Sequence, residues 1–78
     1  MSPAEAQEVK NLLLHNNDTY RQLVERHHEL DHRLHELTER HYLSTIEQVE
    51  AVTLKKKKLA CKDRMEEIAR QHAHSHAS

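Results

Sequence analysis

The sequence contains no glycine, no tryptophan and no phenylalanine, with one proline and one cysteine in 78 residues. Each scarcity excludes something. Without glycine there is no Gly-rich loop to cradle a phosphate. Aromatic residues at 3% and few turn formers leave little from which to build a β-sheet. Cys61 stands alone, so no intrachain disulfide can form. Pro3 is the only proline, and nothing covalent stops a helix beyond it. The longest apolar run, Leu12-Leu13-Leu14, is far short of a bilayer span. No signal-peptide pattern opens the chain. The default expectation is a cytoplasmic protein with no membrane partner.

Net charge is also nearly absent, at −1 with His neutral, so no global field draws the chain to nucleic acid. The halves differ. Residues 1–40 hold eight acids against five Lys or Arg (−3), and residues 41–78 hold five acids against seven (+2). An acidic first half and a basic second half favour packing one against the other, modestly.

What remains is dominated by Glu, Lys, Arg, Leu, Ala, Gln and His, most of them good helix formers. Ser2-Pro3-Ala4-Glu5 is a helix start. Ser2 caps free N–H groups, Pro3 occupies the first helical position, and Glu5 can close a capping box. Val9, Leu13, Asn16, Tyr20, Leu23, His27, Leu30, Leu34, Leu37 and His41 then alternate steps of four and three, a heptad seam. Asn16-Asn17-Asp18-Thr19 are poor helix formers, and Thr19-x-x-Gln22 could restart a helix there. Continuity with a kink is expected, giving a first helix over about residues 3–40. Ser44-Thr45-Ile46-Glu47 repeats the capping signature, which places a turn at about 41–44. Ala51, Leu54, Lys58, Cys61, Met65, Ile68 and His72 mark a second helix over about 45–71. Residues 72–78 lose the apolar period and are expected to form a flexible His-rich tail.

The expected fold is all-α, an antiparallel, coiled-coil-like helical hairpin formed by one domain over residues 1–71. Its core is assigned to Leu13, Tyr20, Leu23, Leu30, Leu34, Leu37, Leu54, Cys61, Met65 and Ile68. The alternative is one continuous helix, against which the charge asymmetry and the internal cap both argue. Val49, Val52 and Leu59 lie on another side of the second helix, and a helix with two apolar faces usually has two neighbours. So short a chain is marginal alone. A homodimer forming a four-helix bundle through that second face is therefore expected.

Two stretches resemble a known family. Glu25-Arg26-His27-His28-Glu29-Leu30-Asp31-His32, followed by Leu54-Lys55-Lys56-Lys57-Lys58-Leu59-Ala60-Cys61-Lys62-Asp63, is similar to the YdcH-like family of short bacterial proteins. Those relatives read roughly E-H-x-E-L-D-H early and L-K-K-x-K-L-x-L-K-D late. The resemblance covers about residues 16–70. Cys61 stands where the relatives tend to have Leu. It implies a helical hairpin of unknown biochemical function, and it supplies no active site to carry over.

Nine histidines are the compositional anomaly. His28, His32 and His35 fall at i, i+4 and i+7, within about 60° of one helix face. An i, i+4 pair can chelate Zn²⁺, Ni²⁺ or Cu²⁺, so a metal-buffering or metal-sensing protein is the alternative function. The plainer reading, a solvated His-rich face, is preferred because no Cys joins the set. His27 and His41 fall on the seam, where a protonation switch is conceivable, and the plain alternative is an amphipathic edge residue. Lys55-Lys56-Lys57-Lys58 suggests an anionic surface, but four successive lysines point in four directions and no aromatic is near to stack bases. Cys61 belongs to the buried face, against a reactive thiolate. Two helices enclose no substrate, so no enzyme and no cofactor is expected. The expected role is an interaction or scaffold protein that self-associates or binds an unidentified protein partner.

Overall fold

The structure, a computed structural model, describes residues 2–76 and is all-helical, with no strand among the described residues. Its elements are α1 (Pro3–Asn16), α2 (Asp18–Thr38) and α3 (Thr45–His76). The Ser2 hydroxyl accepts from the Glu5 N–H at 3.2 Å and Pro3 sits in the first turn, so α1 begins where the cap signal put it.

The expected single helix over 3–40 is in fact two. Asn17 breaks it, with an extended backbone (φ −129°, ψ 107°). Its N–H donates to the Leu13 carbonyl at 2.9 Å and its side-chain Oδ1 accepts from the Tyr20 N–H at 2.9 Å. One residue thus closes α1 and caps α2. Asn does this readily because its short amide competes with the helix for backbone partners. The restart therefore falls at Asn17 and not at Thr19. Arg21 laces the joint, donating to the Leu14 carbonyl at 3.1 Å and to Asp18 at 2.8 Å.

α2 ends at Thr38, with Glu39 as its C-cap. His41, expected on the seam, is therefore exposed in the connection, and Asn16, at the end of α1, is exposed too. The connection over 39–44 contains no glycine and no positive φ. Side chains close it instead. The Glu47 N–H donates to the Ser44 hydroxyl at 3.2 Å, and the Glu47 carboxylate accepts from the Ser44 N–H at 3.1 Å, a complete capping box. An Arg40–Glu47 ion pair spans the turn.

α3 runs antiparallel to α2. Arg33 reaches Glu50 at 2.6 Å and Asp31 pairs with Lys58, so residue numbers rise on one helix as they fall on the other. The long dimension is 52 Å, close to the roughly 48 Å that a 32-residue helix rises. α1 continues past the Asn17 joint along the C-terminal part of α3. Buried positions are Leu13, Tyr20, Leu30, Leu37, Cys61 and Ile68. Leu23, Leu34, Leu54 and Met65 are half-buried beside them. Leu13, Tyr20 and Ile68 form the cluster that joins all three helices, with Val9, Leu14, Val24 and Ala69 packed around it.

The helical end expected at about residue 71 is also corrected. α3 continues through His76, and residues 77–78 of the expected tail lie outside the described residues. Nothing in the sequence terminates the helix, and His72 gains a half-buried place beside Leu13, Asn17 and Ile68.

Candidate interaction surface

A helix that packs one face against a neighbour normally shows polar residues on the other. α3 does not. At about 100° per residue, Val49, Val52 and Leu59 fall within an arc of roughly 80°. That arc lies on the side of α3 opposite Leu54, Cys61, Met65 and Ile68. Val49 is 62% exposed, Val52 53% and Leu59 58%. Ile46, also largely exposed, extends the stripe by one turn, and Tyr42 in the connection lies bare beyond it. Isolated exposed apolar residues need no explanation, whereas a line of them does. Sequence reasoning singled out Val49, Val52 and Leu59 and missed Ile46 and Tyr42. The i, i+3 step from Ile46 to Val49 was the available signal for the former. Tyr42 carried none, because it lies outside any helical period.

The lysine block divides by direction. Lys58 turns inward and pairs with Asp31 across the hairpin. Lys55, Lys56 and Lys57 are exposed and make no ion pair among the described residues. Lys56 lies within the apolar stripe and Lys55 at its edge.

Electrostatics on the inner side close the hairpin. Lys58 donates to Asp31 and, with its charge, holds that carboxyl below its ordinary range. The Ser44 backbone N–H does the same for Glu47, with the Ser44 hydroxyl and Arg40 adding to it. Hydrogen bonds to Glu50 and then Glu36 push the Arg33 guanidinium further up. Burial raises the Tyr20 phenol. Cys61 is buried and free, as a packing residue would be.

The histidine face is arranged differently from a chelate. His32 Nε2 lies 2.9 Å from Glu36, and His35 Nε2 lies 2.9 Å from Glu39, each one turn along its own helix. His28 is exposed, and its ring meets His27 edge-on at 6.4 Å. Among the described residues no three His, Cys, Asp or Glu side chains gather to hold a metal ion. No helix of the described residues is long and apolar enough to cross a membrane.

A family model described as "Protein of unknown function (DUF465)" matches residues 21–70. The chain belongs to that family. The YdcH-like resemblance of the Glu25–His32 and Leu54–Asp63 stretches is consistent with that membership. No curated protein and no solved structure matches the chain. The family match takes in nearly all of α2, the capped turn and α3 as far as Arg70. It contains the outer stripe and the inner seam from Leu23 onward, and it excludes α1 and Tyr20.

Proposed function

We propose that the protein is a non-enzymatic helical interaction module that pairs with a second copy of itself through the outer face of α3. The single observation that carries this reading is the uncovered stripe of Val49, Val52 and Leu59 directly behind the filled seam.

The stripe suits a twofold partner. Val49 and Val52 lie equally far on either side of the Glu50–Ala51 bond, and so do Tyr42 and Leu59. An antiparallel pairing centred there sets Val49 against the second copy's Val52, and Tyr42 against its Leu59. This is the isologous arrangement that closed dimers use. Ile46 then faces the second copy's Lys55, whose methylene stem can cover it while the ammonium stays in water. The lysine blocks are kept apart, because each meets Ser44 and Thr45 and not its own copy. The resulting assembly brings two α2–α3 hairpins together as a four-helix core.

Sedimentation equilibrium at tens of micromolar tests this. The wild-type chain should sediment at twice its 9.2 kDa. The Val49→Lys, Val52→Lys double variant should stay helical and sediment at the single-chain mass. A wild-type monomer removes the proposal. The paired histidines and the lack of a gathered ligand set give the metal-buffering alternative no comparable support.

A further inference from the structure

α1 lies outside the family match, yet it completes a feature that the α2–α3 hairpin cannot form alone. Where α1 crosses the pair, a cleft of about 350 Å³ opens between the three helices. It is lined by Lys10 from α1, Tyr20 and His27 from α2, and Lys58, Lys62, Met65 and Glu66 from α3. Such a volume is at the small end of ligand sites, which run from roughly 300 Å³ upward.

Two observations point to an occupant. The first is Tyr20. Its side chain is among the most deeply buried in the chain, at 2% exposure, and it lines the cleft. Its hydroxyl makes no hydrogen bond among the described residues. Buried polar groups ordinarily find a partner, so an unpartnered phenol on a residue that lines a cleft invites an acceptor. The second is charge. Lys10 and Lys62 reach the same cleft from different helices, and neither has an ion-pair partner among the described residues. Lys58 is engaged by Asp31, and Glu66 is the one carboxylate in the lining. Two unpaired ammoniums, an imidazole and a phenol O–H against one carboxylate make an acceptor-seeking site. Met65 and the lysine stems provide an apolar side.

We infer that this cleft binds a small organic anion, its oxygens accepting from the Tyr20 hydroxyl and the Lys10 and Lys62 ammoniums and its apolar part lying against Met65. Oxyanion recognition by lysine charge and a phenol donor is shared by carboxylates and phosphates, and the experiment separates them. Binding also links the site to α1. Lys10 reaches the cleft only when α1 is docked, so an occupant holds α1 down against α3.

The chain has two tyrosines and no tryptophan, so Tyr20 reports on the cleft while Tyr42, exposed at the far turn, serves as the control. Tyrosine ring resonances of the full chain are followed by NMR during titration with hexanoate, and separately with inorganic phosphate, at constant ionic strength. The expected result is a saturable shift of Tyr20 with hexanoate while Tyr42 stays still. Lys62→Gln and Lys10→Gln should each weaken it about fivefold or more, and Lys55→Gln, on the outer side of α3, should leave it unchanged. Saturation by phosphate with the same lysine dependence also supports the site and assigns a plain oxyanion to it. No saturable shift with either probe up to about 10 mM, or equal weakening by Lys55→Gln, overturns the inference; both lysine variants are surface changes expected to leave the helical signal intact.

Discussion

Two sides of α3 present apolar side chains and meet different surroundings. The inner face sets Leu54, Cys61, Met65 and Ile68 against α1 and α2, and Cys61 and Ile68 are buried. The outer face leaves Val49, Val52 and Leu59 uncovered among the described residues, and all three are more than half exposed. The outer side is the more polar of the two, because Lys56, Asp63, Glu67 and Arg70 share its arc. The two also differ in that α2 offers a complementary seam to the first, and no element among the described residues covers the second. An apolar stripe left uncovered on one side of a packed helix is the feature on which the proposed pairing rests.

The largest effect is expected at the inner face. Leu37, fully buried against α3, should lose about 2–5 kcal/mol of stability on Leu37→Ala, because the cavity at the seam cannot collapse around a rigid pair of helices. Leu59→Ala on the outer face should cost much less in dilute solution and more as concentration rises. Denaturant melts of both variants at two protein concentrations check this.

Self-association through the outer face would give the next largest effect. If the outer face is covered by a second copy, the thermal midpoint of the wild-type chain rises with protein concentration, by mass action. The Val49→Lys, Val52→Lys variant should show one midpoint at every concentration. Calorimetric scans over a hundredfold range of concentration would reveal the difference.

The joint of α1 gives a smaller effect. Asn17→Ala removes the cap on Tyr20 N–H and should cost about 1 kcal/mol. The loss should be local, with faster amide exchange around the α1–α2 joint and unchanged protection at Leu30 and Leu37.

Acid should have the smallest effect, and again on the inner side. Asp31 and Glu47 titrate below their ordinary carboxyl values when folded. A depressed carboxyl adds stability that is complete above its unfolded pKa, near 3.8 for Asp and 4.5 for Glu. That stability is lost as pH falls through the folded value. The contribution of these two carboxyls to chemical melts should therefore be flat down to about pH 5 and weaken below about 4. Lys58→Gln should flatten the Asp31 part of that slope. Both pairs are exposed and screened, so the expected change is slight.

Much of this was legible in the sequence, for a physical reason. The heptad spacing from Leu13 to Leu37 and from Leu54 to Ile68 reports a repeating geometric demand, and the apolar residues on it are buried or half-buried, whereas Asn16 on the same spacing is exposed. Ser44 and Glu47 announced the start of α3 because a capping box is a local device. The break at Asn17 was visible only as a weakness, since three neighbouring residues had similar capping ability and tertiary packing of Tyr20 chose among them. The extension of α3 to His76 was missed because His72 finds its place beside Leu13, a contact far away in sequence. The cleft residues Lys10, Tyr20 and Lys62 were equally out of reach, because their meeting depends on the angle at which α1 returns over α3.

The outer face of α3 can be interrogated directly. In an equimolar mixture of isotope-labelled and unlabelled chains, filtered NOE spectra detect only contacts between different copies. Intermolecular NOEs are expected from the methyl groups of Val49, Val52 and Leu59, with Val49 of one copy reaching Val52 of the other. Filtered spectra in which those methyls show no intermolecular contact, at a concentration of several hundred micromolar or above, would contradict the proposed pairing.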